Sequence, residues 1–395
     1  MILTGRLLLD PATHPPMGWL RLEGDRIAGL GEGRPAAPAD LGDEDTLIAP
    51  GFIDAHLHLP QVDVIGCDGM PLLDWLEKVI YPAEQEWADL DAAEAQAKTA
   101  SRRLLRAGTL GYAGYLTSHL HGLVAAIRAG YEIPLRAVAG QSLMDRNAPA
   151  ALLGQDPARL AVSRRARLAA SVNPRFAVSC SDELLARAGR RARRGAIVQT
   201  HLAESPRECE LVRELFPHAP HYTGVYDAAG LLTERTLLAH CLHLSDEEWR
   251  LIAQRRAVVV HCPAANTFLG SGLFDLDAAR GHGVRLALGS DVAAGPDLAM
   301  PRVARAMIET AKMRRLTIAP EAHVPSPAEA WRLITTGNAD ALGWSDAGRL
   351  EIGAAADLLL LRPPFPLDEH LIGRLIYTWR DEYIAHRIVA GRRMG

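Results

Sequence analysis

Apolar and polar positions change rhythm twice along this chain. Over residues 1–48, short apolar runs (Ile2-Leu3, Leu7-Leu8-Leu9, Trp19 to Leu22) alternate with turns such as Gly24-Asp25 ahead of Arg26-Ile27. Short runs bounded by turn residues predict antiparallel strands. The C-terminal end repeats the pattern in Asp357 to Leu361, Ile384 to Val389 and Gly391, so segments 1–48 and 345–395 are expected to pair into one small β-sandwich domain. Between them, over 49–344, apolar strand-like runs alternate with helical patterns, as repeated βα units around a parallel sheet require. Eight strands are expected: Phe52–His58, Leu110–Tyr115, Leu135–Gln141, Arg175–Cys180, Ala196–His201, Thr236–His240, Ala257–His261 and Arg285–Ser290. Eight parallel strands over about 290 residues predict an α/β fold of the (β/α)8 TIM-barrel type, whose chemistry sits at the C-terminal strand ends.

Those ends carry His56 and His58, His201, His240, His261 and Asp291. Residues i and i+2 of a strand share a side, so His56 and His58 reach one ion together. Asp291 closes the run Leu286-Ala287-Leu288-Gly289-Ser290, where an unpaired carboxylate is costly and a metal or histidine partner is implied. Imidazole and carboxylate donors without a thiolate cluster suit Zn2+, with Fe2+ or Mn2+ as alternatives. Glu204 follows His201 by three residues. It is either a first-turn helix acid or the proton carrier that a metal-bound water needs, and the second reading is preferred. His240 either ligates the metal or orients the attacking water, the latter being preferred. His261 is either pocket lining or a core histidine.

Other features carry less. His119-Leu120-His121 enters a helix, where i and i+2 diverge, and is expected at the rim. His243 lies past a strand end. The arginines 187, 190, 191, 193 and 194 fit the solvated face of a helix. The long segment from Leu59 to Trp87 at the active face reads as a lid or pocket wall, or as an extra packed helix.

Composition narrows the setting. A net charge of −4 over 395 residues gives no reason to expect nucleic-acid or acidic-membrane partners. No apolar run approaches the ~18 residues of a membrane span, and the N-terminus does not read as a signal peptide. Five cysteines without a CxxC pair suggest reduced thiols and a cytoplasmic protein. The missing CxxC also excludes the small zinc deaminase design with H-x-E and P-C-x-x-C.

Taken together the chain resembles the metal-dependent amidohydrolase superfamily over nearly its full length. The resemblance rests on Pro50-Gly-Phe-Ile-Asp-Ala-His-Leu-His58, the flanking β segments and Gly348-Arg-Leu-Glu-Ile-Gly-Ala-Ala-Ala-Asp357. Within it, the guanine deaminase branch is the nearest likeness. It is carried by His58-Leu-Pro-Gln61, Leu72-Leu-Asp-Trp-Leu76, Met144-Asp-Arg-Asn-Ala-Pro149, Asn173-Pro-Arg-Phe176, Val225-Tyr-Asp227, His261-Cys-Pro-Ala-Ala-Asn266 and Ser290-Asp-Val-Ala-Ala-Gly295. The resemblance implies one Zn2+ per chain on His56, His58, His201 and Asp291. It gives Glu204 as proton shuttle and His240 as a water-orienting catalytic residue beside Asp291. It also implies a purine whose edges meet Gln61 and Arg175 and whose face meets Phe176, with His201 beside the base. The implied reaction is hydrolytic deamination of guanine to xanthine and ammonia by a zinc-activated hydroxide, in a homodimer. Strand four holds neither a lysine nor an acid, so one metal is expected rather than two. Ala264-Ala265 stand where the family often has a bulkier polar residue, which predicts a wider pocket. The alternatives are deamination of 8-oxoguanine, isoxanthopterin or a triazine-like ring, or a non-catalytic binding role.

Overall fold

The computed structural model describes residues 1–154 and 162–395. The N-terminal strands are β1 (Ile2–Leu7), β2 (Met17–Glu23), β3 (Arg26–Glu32) and β4 (Leu47–Pro50). The central ones are β5 (Phe52–His58), β6 (Thr109–Leu116), β7 (Arg136–Leu143), β8 (Val162–Ser163), β9 (Leu168–Ala170), β10 (Asn173–Pro174), β11 (Val198–Leu202), β12 (Thr236–His240), β13 (Val258–His261) and β14 (Arg285–Leu288). The chain ends with β15 (Leu358–Leu361), β16 (Ile384–Val389) and β17 (Arg392–Met394).

Both chain ends meet in one seven-stranded sheet, ordered β17-β16-β15-β4-β1-β2-β3. Burial alternates along β1, the mark of a sheet with one wet face. The turn between β2 and β3 is the expected two-residue loop, with Gly24 at φ +58 supplying the left-handed conformation. Leu3, Leu20, Ile27, Ile48, Leu358 and Ile388, from both ends, form a separate small apolar core. Strand β4 belongs to this sheet, so it extends to Pro50. The helix Leu371–Thr378 does not join the small core; its Leu371, Leu375 and Ile376 pack into the main one.

The central strands run parallel in two groups: β5-β6-β7-β9, with β10 also on β7, and β11-β12-β13-β14. Every residue of β5, β6, β11 and β12 is buried, as expected for parallel strands covered on both faces. Main-chain hydrogen bonds join the groups at both seams. At one, Val172 N donates to Ile197 O at 2.9 Å and Gln199 N to Val172 O at 3.1 Å. At the other, Asp291 N donates to His56 O at 2.8 Å and His58 N to Val292 O at 2.9 Å. Asn338 reinforces this second seam. Its Nδ2 donates to Ile53 O and Leu288 O, both at 2.7 Å, and its Oδ1 accepts from Leu288 N at 2.8 Å.

Expected strand four is the one clear misplacement. Pairing in this region is made by β9 and β10, and Arg175–Cys180 is not a strand: it continues into a 3-10 turn at Ala177–Ser179. Phe176, Ala177, Val178 and Cys180 are all buried, so their apolar run mimics a strand. Main-chain ladder bonds end at Arg175, whose N donates to Leu143 O and whose O accepts from His201 N, both at 3.1 Å, and beyond it Ala177 N donates to the Tyr226 hydroxyl at 3.0 Å. Arg175 therefore stands at the end of the ladder and Phe176 past it, over the cavity.

Candidate active site

Strand ends bring the donors together. Ligand atoms of His56, His58, His201 and Asp291 all lie within 4.8 Å of one another, and all four residues are buried. His56 Nε2 and His58 Nε2 each lie 3.3 Å from Asp291 Oδ1, and His58 Nε2 lies 3.1 Å from His201 Nε2. Backbone geometry is bent to make this possible. Ala203, His240, Cys241 and Asp291 all take positive φ, between 50 and 71°, at the mouth of the parallel strands. Such conformations are costly for non-glycine residues and collect at functional sites. Gly289 lets the last strand approach the first, because a Cβ there would sit 2.7 Å from His56 Cβ.

Protonation follows from the partners. Arg175 O accepts from His201 Nδ1 at 2.6 Å; a carbonyl only accepts, so the Nδ1 proton is fixed and the Nε2 lone pair faces the other donors. Burial pushes His58 down to about 4, and burial together with the neighbouring His56 holds His201 well below the usual imidazole range. Neutral imidazoles are what a metal requires. Burial pushes the Asp291 carboxyl up, but His56 and His58 beside it outweigh burial and hold it well below the usual carboxylate range. The buried His56 Nε2 has no directed hydrogen-bond partner. Four converging donors, three imidazole nitrogens and one carboxylate oxygen, fit one divalent cation.

Glu204 and His240 stand beside this group. His240 Nε2 lies 3.4 Å from Glu204 Oε2 and 3.7 Å from Asp291 Oδ2. Asn266 Oδ1 meets His240 Nδ1 at 2.8 Å and turns the ring so that Nε2 points at both carboxylates. Burial, with Asp291 adding to it, raises Glu204 well above the usual carboxyl range, so its carboxyl takes up a proton readily. Its Oε1 is buried without a partner. Behind the donors, Asp54 accepts from His56 N at 3.1 Å, and from Ser290 N at 3.0 Å, tying the first strand to the residue preceding Asp291; burial pushes it up to about 6.

His58, His201, Glu204, His240 and Asp291 open on a cavity of about 380 Å³, including its mouth. Gln61, Arg175 and Phe176 line it, with Leu72, Trp75 and Leu76 from the long segment after β5, which thus serves as pocket wall. Gln61 and Arg175 are both bound to Glu84, which the sequence reading passed over. Asn266 and Asp54 were quoted inside motifs without a role, and Asn338 was not singled out. Asp54 alone stands as a polar residue inside an apolar stretch; Asn266 and Asn338 lie beside other polar residues and carry no such signal.

The remaining candidates fall outside this group. His261 does not line the cavity: it stacks on Phe274 at 4.5 Å, and burial pushes it down to about 3. Ala264 and Ala265 do not line it either, whereas Leu269 does, so the expected widening has no counterpart there. His119 occupies the N-cap position of the helix Leu120–Glu132 without a side-chain capping bond, and His121 meets Ala88 O at the surface. His243 bonds Ser271 O away from the donors.

Known proteins are similar to this chain in sequence and in fold. A guanine deaminase of Escherichia coli (strain K12) is 34% identical over 328 residues, covering 80% of this chain and 73% of that one. A guanine deaminase of Mus musculus is 30% identical over 373 residues, covering 87% and 82%. A solved guanine deaminase from C. acetobutylicum, with guanine bound in its active site, superposes with a TM-score of 0.90 at 25% identity, covering 100% of this chain and 99% of that one. The pattern of the amidohydrolase family matches residues 47–394, from the strand before His56 to the last strand, and the chain belongs to that family.

Proposed function

We propose that this protein is a guanine deaminase, hydrolysing guanine to xanthine and ammonia. The observation that carries the reading is the cavity itself. One wall holds the four-donor group with Glu204 and His240, and the other presents Gln61, Arg175 and Phe176. Relatives that deaminate guanine, and a solved neighbour with guanine in its site, support the choice of base.

In this reading His56, His58, His201 and Asp291 hold one divalent ion, zinc by donor chemistry and Fe2+ as the alternative. Such an ion acts as a Lewis acid that brings the pKa of a water near 7. The chain's own groups do the rest. Arg175 offers planar N–H donors to O6 and N7 of the base, Gln61 donates and accepts at a mixed edge, and Phe176 covers a face. Asp291 and His240 orient the water toward C2. Glu204 takes its proton and passes it to N3 as the oxygen bonds to C2, giving a tetrahedral carbon. The bond from C2 to its exocyclic amine then breaks as Glu204 carries the proton of the new C2 hydroxyl to that amine. Ammonia departs and the C2 carbonyl of xanthine remains, so guanine and water are fully accounted for.

The architecture belongs to the same reading: a closed (β/α)8 barrel supported by hydrogen bonds at both seams, and a sandwich-like β domain from the two ends. In this reading residues 1–48 and 345–395 form the small domain and 49–344 the barrel, with β4 (Leu47–Pro50) at the boundary. A homodimer, a cytoplasmic location and a place in purine breakdown complete it. No helix among the described residues is long and apolar enough to cross a membrane.

The test is ammonia release by the purified, metal-loaded protein from guanine, 8-oxoguanine, isoxanthopterin and adenine. Guanine is expected to be turned over with the highest kcat/KM. Preference for another ring moves the assignment to that ring, and no release from any, with the metal bound, favours the binding role. Metal analysis is expected to give one ion per chain.

A further inference from the structure

Behind the cavity's polar wall lies a buried carboxylate that the scheme above does not use. Glu84 has no solvent exposure. Its Oε1 accepts from Gln61 Nε2 at 2.8 Å, and its two oxygens accept from Arg175 Nη1 at 2.7 and 2.8 Å. The local backbone is built to place it. A π-helical turn at Leu76–Ile80 precedes Pro82, which has no N–H to continue the ordinary ladder, and Thr117 Oγ1 anchors Glu84 O at 2.9 Å.

These contacts decide two things about the wall. The first is the sense of the Gln61 amide. Ala293 N–H donates to Gln61 Oε1 at 3.3 Å, and a carboxylate only accepts from Nε2, so the flipped amide loses both bonds. Gln61 therefore shows the cavity a fixed edge. The second is charge. Burial pulls Arg175 down, but Glu84 more than offsets this and the guanidinium stays charged. Arg175 spends one nitrogen on Glu84, and Tyr81 lies 5.5 Å from its Cζ. The wall thus offers guanidinium N–H donors with the charge behind them cancelled.

An uncompensated buried guanidinium favours an anionic ring, while a compensated one recognises donors and acceptors without rewarding charge. The distinction matters for this reaction. Guanine is neutral near pH 7, whereas xanthine, with a second ring carbonyl, is the stronger N–H acid and is partly an anion there. We propose that Glu84 is a positioning and specificity-determining residue. It cancels the charge of Arg175 and fixes Gln61, so that the cavity takes a neutral purine and releases the more acidic dioxo product. This rests on the guanine reading above.

The test is Glu84→Gln in the metal-loaded protein, with guanine KM and product inhibition by xanthine both measured. We expect KM to rise about tenfold and xanthine to inhibit about tenfold more tightly, opposite shifts that general loosening does not give. Glu84→Asp keeps the charge and is expected to return the ratio toward wild type. Both ligands weakening in parallel, or neither changing, overturns the proposal. Should Glu84→Gln fail to fold, Glu84→Gln with Arg175→Gln carries no buried charge. It is expected to bind guanine weakly and xanthine no tighter than wild type, and a wild-type guanine KM overturns the proposal. If the wild-type protein releases no ammonia from guanine, the functional reading fails separately. Calorimetric titration with hypoxanthine (neutral) and urate (an anion) then decides: a gain for urate alone in Glu84→Gln supports Glu84, and equal changes overturn it.

Discussion

On one side of the cavity, His56, His58, His201 and His240 hang from strands β5, β11 and β12, with Glu204 and Asp291 a few residues past strand ends. On the other, Gln61 sits in a 3-10 turn, Glu84 in a short helix after a π turn, and Arg175 in irregular chain beyond β10. The first wall is aligned by main-chain ladders running from residue to residue. In the second, where only the Arg175 main chain still bonds neighbouring strands, the polar groups are aligned by side chains bonding to one another, chiefly the Arg175–Glu84 pair. A ladder holds its members whatever their neighbours are. An ion pair holds only while both partners are present, and a half-broken buried pair costs more than a missing one.

The sharpest way to test that contrast is to remove one function from each wall. Glu204→Gln leaves the donors in place, so turnover is expected to fall ~10²–10⁴-fold while bound metal stays at the wild-type level. Near-normal turnover in that variant removes Glu204 as the shuttle. Arg175→Ala strikes the other wall: guanine KM is expected to rise ~10²-fold with relaxed base choice, and the unpaired Glu84 to cost ~3 kcal/mol of stability in a denaturant titration. An unchanged KM shows that the arginine does not touch the base.

A finer cut separates orientation from reaction within the first wall. Asn266→Ala frees His240 Nδ1, and kcat is expected to drop ~10-fold to 10²-fold at little cost in KM. Asn266→Asp, which keeps an acceptor for that nitrogen, is expected to restore most of it. Recovery in neither variant, or a loss confined to KM, shows that the asparagine does not act through His240. The smallest effect belongs to His243→Ala, whose ring lies away from the cavity; stability and kcat/KM are expected within about 0.5 kcal/mol of wild type.

The same contrast explains what could be read from sequence. His56, His58, His201, His240 and Asp291 were legible because a strand end is marked twice, by an apolar run and by the polar residue that stops it. Glu84 carries no such mark: its partners lie 23 and 91 positions away, and acids in helices are usually solvated. Asn338 is hidden for the same reason, bonding backbone 285 positions earlier. Strand four failed differently. Burial of Phe176 to Cys180 under the site leaves the same apolar signature as a ladder, and periodicity cannot tell them apart. The pairing of the two chain ends in one sheet was legible, but the passage of Leu371–Thr378 into the main core was not, because an amphipathic face does not say which core it meets.

Asn338 also bears on when the centre comes into being during synthesis. His56 is made early and Asp291 late, and the side chain clasping Ile53 and Leu288 is made later still. A nascent polypeptide halted at residue 337 has all four donors and the main-chain bonds between its first and last parallel strands, but lacks the side-chain clasp that reinforces them. The side-chain part of this seam is therefore completed only when the tail of the chain returns to its head.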